Sequence, residues 1–525
     1  MTTAAAAPTG APARAGIALT ALTLGALVCN INLAVANVAL PDIGRAFAAS
    51  QTSLNLIAIG CTLGLAMSVL YFGAVGDRYG RKQLLVIGLA GTIGASLLSA
   101  YAPGDAFLAA ARLLTGLFGG MSYPTTLALI TALWAPGIRR TRAIALWSGV
   151  SAGAASLGPA VAGFLLSVFW WGSVFLVVVP LAAITLVLVI VCIPKGVNES
   201  TDRVDHLGGV LSVVMVGAFV LSLSLVASRP TRVLALLGFV VSVVALVLFF
   251  WRQRAATSPL YDLRIARRRL FWVPAVGGMI VFGSLMGAAF VGQQFLQNVV
   301  GASPAVAGLS GLPCAVFLVI AAQLSARLVV ARGSRFTMVL GYAFVLVAFV
   351  SMFFWSQDTG YALAIATFVL VGSGAGLALT PASRSLTGST PVRRVGMASA
   401  TSDLQRDLGG SVMQALFGTI LAAGFAASFA QQIADSADAS GIGADVQNQL
   451  RSSFSSAAET AQQFPQYADQ IIAAAKESFL HGSLLVFVAG AVAVVLGGLV
   501  VLLSMPGRRI EQELTEEYAR EDAVA

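Results

Sequence analysis

Charge is what this sequence has least of. Asp, Glu, Lys and Arg make up 10% of its 525 residues, where an ordinary soluble domain carries about 25%. Hydrophobic residues make up 58% and the mean hydropathy is +0.88, which excludes a soluble globular fold. Cysteine is rare as well. Cys29, Cys61, Cys192 and Cys314 all sit inside apolar runs, without metal-ligand spacing and away from any outer loop where a disulfide would help. They read as small core residues, and neither a metal nor another cofactor is expected. The two histidines, His206 and His481, fall at the ends of apolar runs. No Walker A pattern, H-E-x-x-H, G-x-S-x-G or nucleophilic cysteine context occurs, so ATP hydrolysis and enzyme chemistry have no residues to carry them. Acids inside the apolar runs are scarcest of all: Asp403 and Asp407 are the two that look embedded, while Asp42 reads as interfacial. The formal charge of +9 does not point to nucleic acid, because the basic residues are divided among short loops.

What is abundant is glycine, 54 residues, and apolar runs of about 20 residues, long enough to cross a bilayer as helices. Strands of a membrane barrel would instead alternate over about ten residues. Fourteen spans are expected: 17–38, 54–74, 83–101, 107–133, 144–167, 172–193, 207–228, 233–251, 271–295, 304–330, 336–356, 361–382, 398–429 and 479–504. Alternate loops carry the basic residues: Arg78, Arg81 and Lys82; Arg139, Arg140 and Arg142; Lys195 and Arg203; Arg252, Arg254 and the run Arg264 to Arg269; Arg332 and Arg335; Arg384, Arg393 and Arg394; Arg508 and Arg509. The other loops carry little, so the positive-inside rule places both termini in the cytoplasm of a multi-pass cell-membrane protein. The first run is expected to be a span rather than a cleaved leader, because it is too long and further spans follow.

The expected organisation is a cytoplasmic tail (1–16), a six-helix bundle (17–193), a linker with two extra spans (194–251) and a basic cytoplasmic loop (252–270). A second six-helix bundle (271–504) and a cytoplasmic tail (505–525) complete it. The basic loop should lie against anionic lipid heads. The polar outer stretch 430–478 is expected to be a solvated loop with short helices, one of them YADQIIAAAKESFL. A weak repeat sets Gly333 and Arg335 in register with Gly80 and Lys82, as duplicated helical halves do in transporters.

Three stretches carry the strongest local signals. In GAVGDRYGRKQLL (73–85), Gly73 permits close helix approach and Gly80 a tight turn. Asp77 can cap a helix end or pair with Arg, and Arg78, Arg81 and Lys82 anchor the loop inside. LAAARLLTGLFGG (108–120) buries Arg112, which stays charged and must find acceptors. SLGPAVAGFLL (156–166) combines Gly158, Pro159 and Gly163, which bend a helix and let it pack tightly.

Together these resemble the major facilitator superfamily, and more narrowly its fourteen-span drug/proton antiporter branch. The first matches the family's G-x-L-x-D-R-x-G-R-K loop. The second is similar to its R-x-x-Q-G motif, with Thr115 in place of Gln, and the third to its exporter motif G-P-x-x-G-G, with Ala162 in place of one Gly. NVALP (37–41), YPTTLALI (123–130), VDHLGGVL (204–211), SPLYDLRIARRRLF (258–271) and RDLGGS (406–411) follow in the family's order, so the resemblance covers nearly the whole chain. It implies an all-α fold of two six-helix halves plus two extra central spans. It also implies that the 73–85 loop latches the outward-open state.

Two departures from that pattern bear on function. Asn32 stands where many members carry Asp, and Leu318 near where some carry an acid. Asn30, Asn32 and Asn37 are expected to line a polar central cavity with Arg112. Asn32 keeps hydrogen-bonding capacity without charge, which favours neutral, zwitterionic or anionic amphiphiles over permanent cations. Asp403 and Asp407 share a helix face, with Arg406 beside them. Asp403, Arg406 and Asp407 are the candidates for proton coupling, the other reading being a purely structural local ion pair. The resemblance favours Asp403 as the proton site, and Asp407 is then expected to pair with Arg406. The resulting expectation is a monomeric exporter of small amphiphiles working by alternating access and coupled to protons. The alternatives are a lipid or amphiphile exporter with weak or no coupling, and a non-transporting membrane sensor or scaffold. Asp77→Asn is expected to abolish export from a folded, inserted protein, because a latch biases states separated by only a few kcal/mol. Full export by that variant in a vesicle assay would remove the latch role.

Overall fold

The computed structural model describes residues 15–134, 138–194, 204–226, 231–358, 360–390, 395–436 and 443–524. The expected loop residues Lys195, Arg203, Arg393 and Arg394, and the tail before residue 15, lie outside the described residues. All regular structure among the described residues is helical. In hydrocarbon each backbone N–H and C=O must be satisfied within its own segment, and a helix does this.

The first bundle contains α1 (Ala15–Phe47), α2 (Gln51–Tyr79), α3 (Arg81–Ala100), α4 (Asp105–Leu133) and α5 (Ile138–Val168). It closes with α6 (Ser173–Leu176) and α7 (Val178–Cys192) in line as one span. Two further helices follow, α8 (His206–Leu225) and α9 (Arg232–Ala255), then the short α10 (Leu263–Ala266). The second bundle contains α11 (Arg269–Asn298), α12 (Pro304–Ser310) in line with α13 (Leu312–Arg332), α14 (Ser334–Met352), α15 (Tyr361–Gly388) and α16 (Val395–Asp435). After it come α17 (Ala444–Ser452), α18 (Phe454–Gln463), the long α19 (Ala468–Ser504) and the terminal α20 (Arg508–Val524).

Thirteen spans among the described residues are long and apolar enough to cross a membrane. The fourteenth expected span corresponds to α5. That helix has 31 residues, but several side chains of its first half lie outside the described set, and only Leu157–Val168 registers as an apolar stretch. The boundaries differ most around the expected loop 430–478. There α16 runs on to Asp435 and α19 begins at Ala468, so YADQIIAAAKESFL is the first part of the last span's helix. The stretch between is not simply solvated. Ser453 Oγ donates to the Ala49 carbonyl over 2.7 Å, and Ser455 sits against Gly44, so α18 is seated on the α1–α2 turn.

Close helix approach holds each bundle together. Helices in lipid gain little from hydrophobic association, so small residues that admit a neighbour's backbone do the work. A Cβ on Gly116 of α4 would lie 2.1 Å from the Cys61 carbonyl oxygen of α2. One on Gly372 of α15 would lie 2.0 Å from the Cys314 carbonyl oxygen of α13. Cys61 precedes Gly80 by the same number of residues as Cys314 precedes Gly333. Both glycines adopt positive φ, 117° and 87°, at the turns α2–α3 and α13–α14. The weak repeat in the sequence is therefore a repeat of packing and of turn geometry.

The helices α8 and α9 stand outside this pair of bundles. α8 packs on α2 and on α16. His206 lies between Tyr71 and Tyr79 of α2, its Nδ1 3.0 Å and its Nε2 3.2 Å from their hydroxyls. At the other end Thr419 Oγ1 of α16 donates to the Leu223 carbonyl over 2.8 Å. α9 buries only a narrow stripe, Ala235, Ser242, Ala245 and Phe249, and leaves the rest of its apolar surface outward, as a lipid-facing helix does.

Candidate functional site

A cavity of about 370 Å³ lies between the two bundles, with walls from α1, α2, α4, α5, α11, α13, α15 and α16. Its lining is mainly apolar, including Leu33, Phe282, Met286, Leu318 and Phe368. Polar groups enter from a few positions only. α1 contributes Asn30 and Asn37, α2 Thr62, α4 Tyr123, α5 Trp147 and Ser151, α11 Gln293, and α16 Asp403, Arg406 and Asp407.

Helix periodicity decides which asparagines reach it. Asn30, Leu33, Ala34 and Asn37 all line the cavity, at spacings that share one helix face. Asn32 falls on the opposite side of α1 and is 2% exposed. The expectation that Asn32 and Arg112 line the cavity is therefore corrected: both are packed behind its wall. Arg112 is fully buried, donates from Nη2 to the Asn32 carbonyl over 2.8 Å and lies 5.3 Å from the centre of the Phe175 ring. Its Nε and Nη1, and Asn32 Oδ1, have no hydrogen-bond partner among the described residues. Arg112 thus ties α4 to α1 through a backbone oxygen.

On α16, Arg406 Nη2 lies 2.5 Å from Asp403 Oδ1, and Arg406 Nε donates to the Ser402 carbonyl over 3.3 Å. The expected pairing of Asp407 with Arg406 does not form. Asp403 takes the guanidinium instead, one turn earlier. Asp407 faces the same cavity with no ion pair to its carboxylate among the described residues. Ser411 Oγ donates only to its backbone carbonyl, over 2.7 Å.

The bundles meet at the end of the molecule away from the α2–α3 turn. Gln51 Nε2 of α2 donates to Gln294 Oε1 of α11 over 3.1 Å, and Gln297 Nε2 donates to the Val38 carbonyl of α1 over 3.0 Å. Here Gly158, Pro159 and Gly163 of α5 do what their composition suggests. A Cβ on Gly163 would lie 2.4 Å from the Pro304 carbonyl oxygen of α12, and one on Gly308 would lie 2.2 Å from that of Pro159. Gly158 faces α1 instead, with Ala34 Cβ 2.5 Å from where a Cβ would stand.

At the turn end, the expected gating loop ties the helices of the first bundle together. Asp77 Oδ1 accepts from Arg81 Nε over 3.0 Å and Nη2 over 2.8 Å, and Arg81 Nη1 donates to the Ala128 carbonyl of α4 over 2.9 Å. Lys82 Nζ donates to the carbonyls of Ile190 and Ile193, closing α3 onto α7. Arg78 is exposed beside them and Gly73 has open space around it.

Sequence reasoning missed Trp147, Gln293 and Gln294. A signal existed for the glutamines: two adjacent amides inside an apolar run need partners, and Gln294 finds Gln51. Tyr123 lay within a quoted stretch without being singled out. It packs 5.4 Å from Trp147, whose Nε1 donates to Thr126 Oγ1 over 2.9 Å.

Two helical bundles around a mainly apolar cavity, joined at one end, have the arrangement of a membrane transporter. The chain belongs to the Major Facilitator Superfamily, whose family model matches residues 22–414. It is 35% identical over 419 residues to the multidrug efflux pump LfrA of Mycolicibacterium smegmatis, covering 79% of this chain and 82% of that one. It is 29% identical over 498 residues to the drug efflux pump JefA of Mycobacterium tuberculosis, covering 94% and 96%. Among solved structures it resembles a bacterial homologue of the human lysosomal transporter Spinster in an inward-facing, occupied conformation. That match has a TM-score of 0.62 and 17% identity, and covers 93% of this chain and 96% of the other; it speaks for the fold alone.

Gly163→Leu should force α5 from α12 and lower transport about tenfold, the effect of roughly 1–3 kcal/mol of overpacking on one conformational state. The check is a transport assay beside a thermal-stability measurement in detergent. Wild-type rates with leucine at both 163 and 308 would show that the close approach is dispensable.

Proposed function

We propose that this chain is a proton-coupled exporter of small amphiphilic compounds, drugs or metabolites, that works as a monomer by alternating access. In this reading it has fourteen spans, α5 included, with both termini and the arginine-rich turns in the cytoplasm. The divisions are those of the sequence reading: bundles 17–193 and 271–504, joined by 194–251 and the basic loop 252–270. The state described above, joined at the end away from the turns, is then inward-facing. The relatives named as multidrug and drug efflux pumps support export as the direction.

The observation that carries the reading is the cavity itself. Its apolar walls suit the body of an amphiphile, and its few polar groups converge from both bundles. Proton coupling needs a group that can change protonation within reach of that cavity. Arginine stays charged and amides do not titrate. Asp403 is held by Arg406 in a partly buried pair, and removing its charge would leave the guanidinium without a counter-ion. We therefore assign the proton to Asp407, which lines the cavity without such a partner, and give Asp403 and Arg406 the role of a fixed local pair.

Uptake of a fluorescent amphiphilic dye into inverted vesicles, with and without an imposed pH gradient, tests this. Asp407→Asn should reduce gradient-driven uptake to the level seen without a gradient, while exchange of dye down its own gradient continues. Asp403→Asn should weaken uptake in both conditions alike. Undiminished gradient-driven uptake by Asp407→Asn would contradict the assignment and favour an uncoupled exporter of amphiphiles.

A further inference from the structure

The two bundles repeat each other at their turns, but one component differs. In the first, Gly80 N donates to the Gly76 carbonyl over 3.0 Å, and Leu84 N to that of Gly80 over 3.2 Å. In the second, Gly333 N donates to the Val329 carbonyl over 2.9 Å, and Thr337 N to that of Gly333 over 3.4 Å. Residue by residue, Asp77 corresponds to Val330, Arg81 to Ser334 and Lys82 to Arg335. The first turn therefore carries its own carboxylate, and the second has an exposed valine in that place.

A carboxylate is nevertheless present at the second turn, delivered by the terminal helix. Glu511 Oε1 accepts from Ser334 Oγ over 2.5 Å, and Oε2 accepts from Ser334 N over 3.1 Å, at the first residue of α14. Arg508, one turn earlier on α20, donates from Nη1 to the Ala331 carbonyl over 2.9 Å. Its Cβ would be 2.9 Å from any Cβ on Gly333, so α20 starts directly against the turn. The far end of α20 is held separately. Asp522 accepts from both terminal nitrogens of Arg268, over 2.7 and 3.0 Å, and the same guanidinium lies 4.5 Å from the centre of the Tyr518 ring. The hydrogen-bonded Asp522 carboxylate raises the Arg268 guanidinium above the ordinary arginine range, so this anchor stays charged.

We propose that Glu511 is a positioning residue for transport, supplying from the terminal helix the negative charge that Asp77 supplies to the other turn. The first turn holds Arg78, Arg81 and Lys82, and the second Arg332, Arg335 and Arg508. Closing the turn end brings these two cationic groups together, and each carboxylate lowers their repulsion. Glu511 therefore favours the state in which the turn ends meet, the reverse of the state described above. This rests on the alternating-access reading but not on proton coupling.

The test uses the full chain in lipid nanodiscs, with its native cysteines replaced and spin labels at Val191 and Leu503, exposed positions on α7 and α19. Distance distributions between the labels report the fraction with turn ends together. Glu511→Gln should lower that fraction about two- to fivefold, the scale of a partly exposed electrostatic interaction. Glu511→Asp should retain it. The double substitution Val330→Asp and Ser334→Arg, which recreates the first turn's pair, should restore it in the Glu511→Gln background. The loss should shrink at high salt, where exposed charges are screened, which loss of packing alone would not do. Two populations in the wild type that Glu511→Gln leaves unchanged would overturn the proposal alone. So would a shift that is indifferent to salt and not rescued. A single fixed distance in the wild type under all conditions would overturn alternating access with it.

Discussion

Backbone touching backbone across the two bundles is the contact on which the rest of this molecule depends. At the joined end Gly308 meets the Pro159 carbonyl and Gly163 meets that of Pro304, at separations no side chain would allow. In lipid such contacts replace the hydrophobic effect as the means of association, because apolar surface gains nothing from meeting apolar surface. They are also reversible. The seam includes a few amide hydrogen bonds, Gln51 with Gln294 and Gln297 with the Val38 carbonyl, and no ion pair among the described residues. An interface of this kind can hold one end of a cavity shut and still part, because separating it strands no buried charge. The same device inside each bundle, Gly116 on Cys61 and Gly372 on Cys314, keeps each one compact.

Charge is used with corresponding restraint. Buried ionisable groups are costly in a membrane and collect where a pathway or structural tie needs them. Arg112 serves as a tie, turned from the cavity onto a backbone oxygen. Asp403 and Arg406 neutralise each other on one face of α16, and Asp407 is left facing the space between the bundles. Outside the hydrocarbon, charge gathers at the two turns and on α20. The terminal helix thereby joins the electrostatics of the second turn to the ends of α11 and α15 through Arg268, which also donates to the Ser389 carbonyl over 2.7 Å.

Much of this was legible in the sequence, and what was not has identifiable causes. Run length and loop charge fix spans without reference to tertiary contacts, so the helices fall close to expectation. The repeat at Gly80 and Gly333 was visible because a turn at positive φ is served best by glycine at both places. Side-chain direction was harder. Asn32 and Asn30 are two residues apart, a spacing that sends them to different faces, and composition alone placed all three asparagines together. Whether Arg406 would turn back to Asp403 or forward to Asp407 depends on side-chain rotamers and on neighbours from α4, which sequence spacing does not encode. The helices α17 and α18 were expected only as short helices in a solvated loop, because their own sequence is polar and does not show that α18 docks on the α1–α2 turn and α17 on α16 and α18.

In the proposed transport cycle the exported compound binds in the cavity between the two bundles. The most direct test is an experimental structure of the protein with a compound it demonstrably exports. Density is then expected between the bundles, its apolar body against α11 and α13 and its polar end near Asn30, Tyr123 and Asp407. Density confined to the outer faces of α8 and α9, with this cavity unchanged and empty, would contradict it.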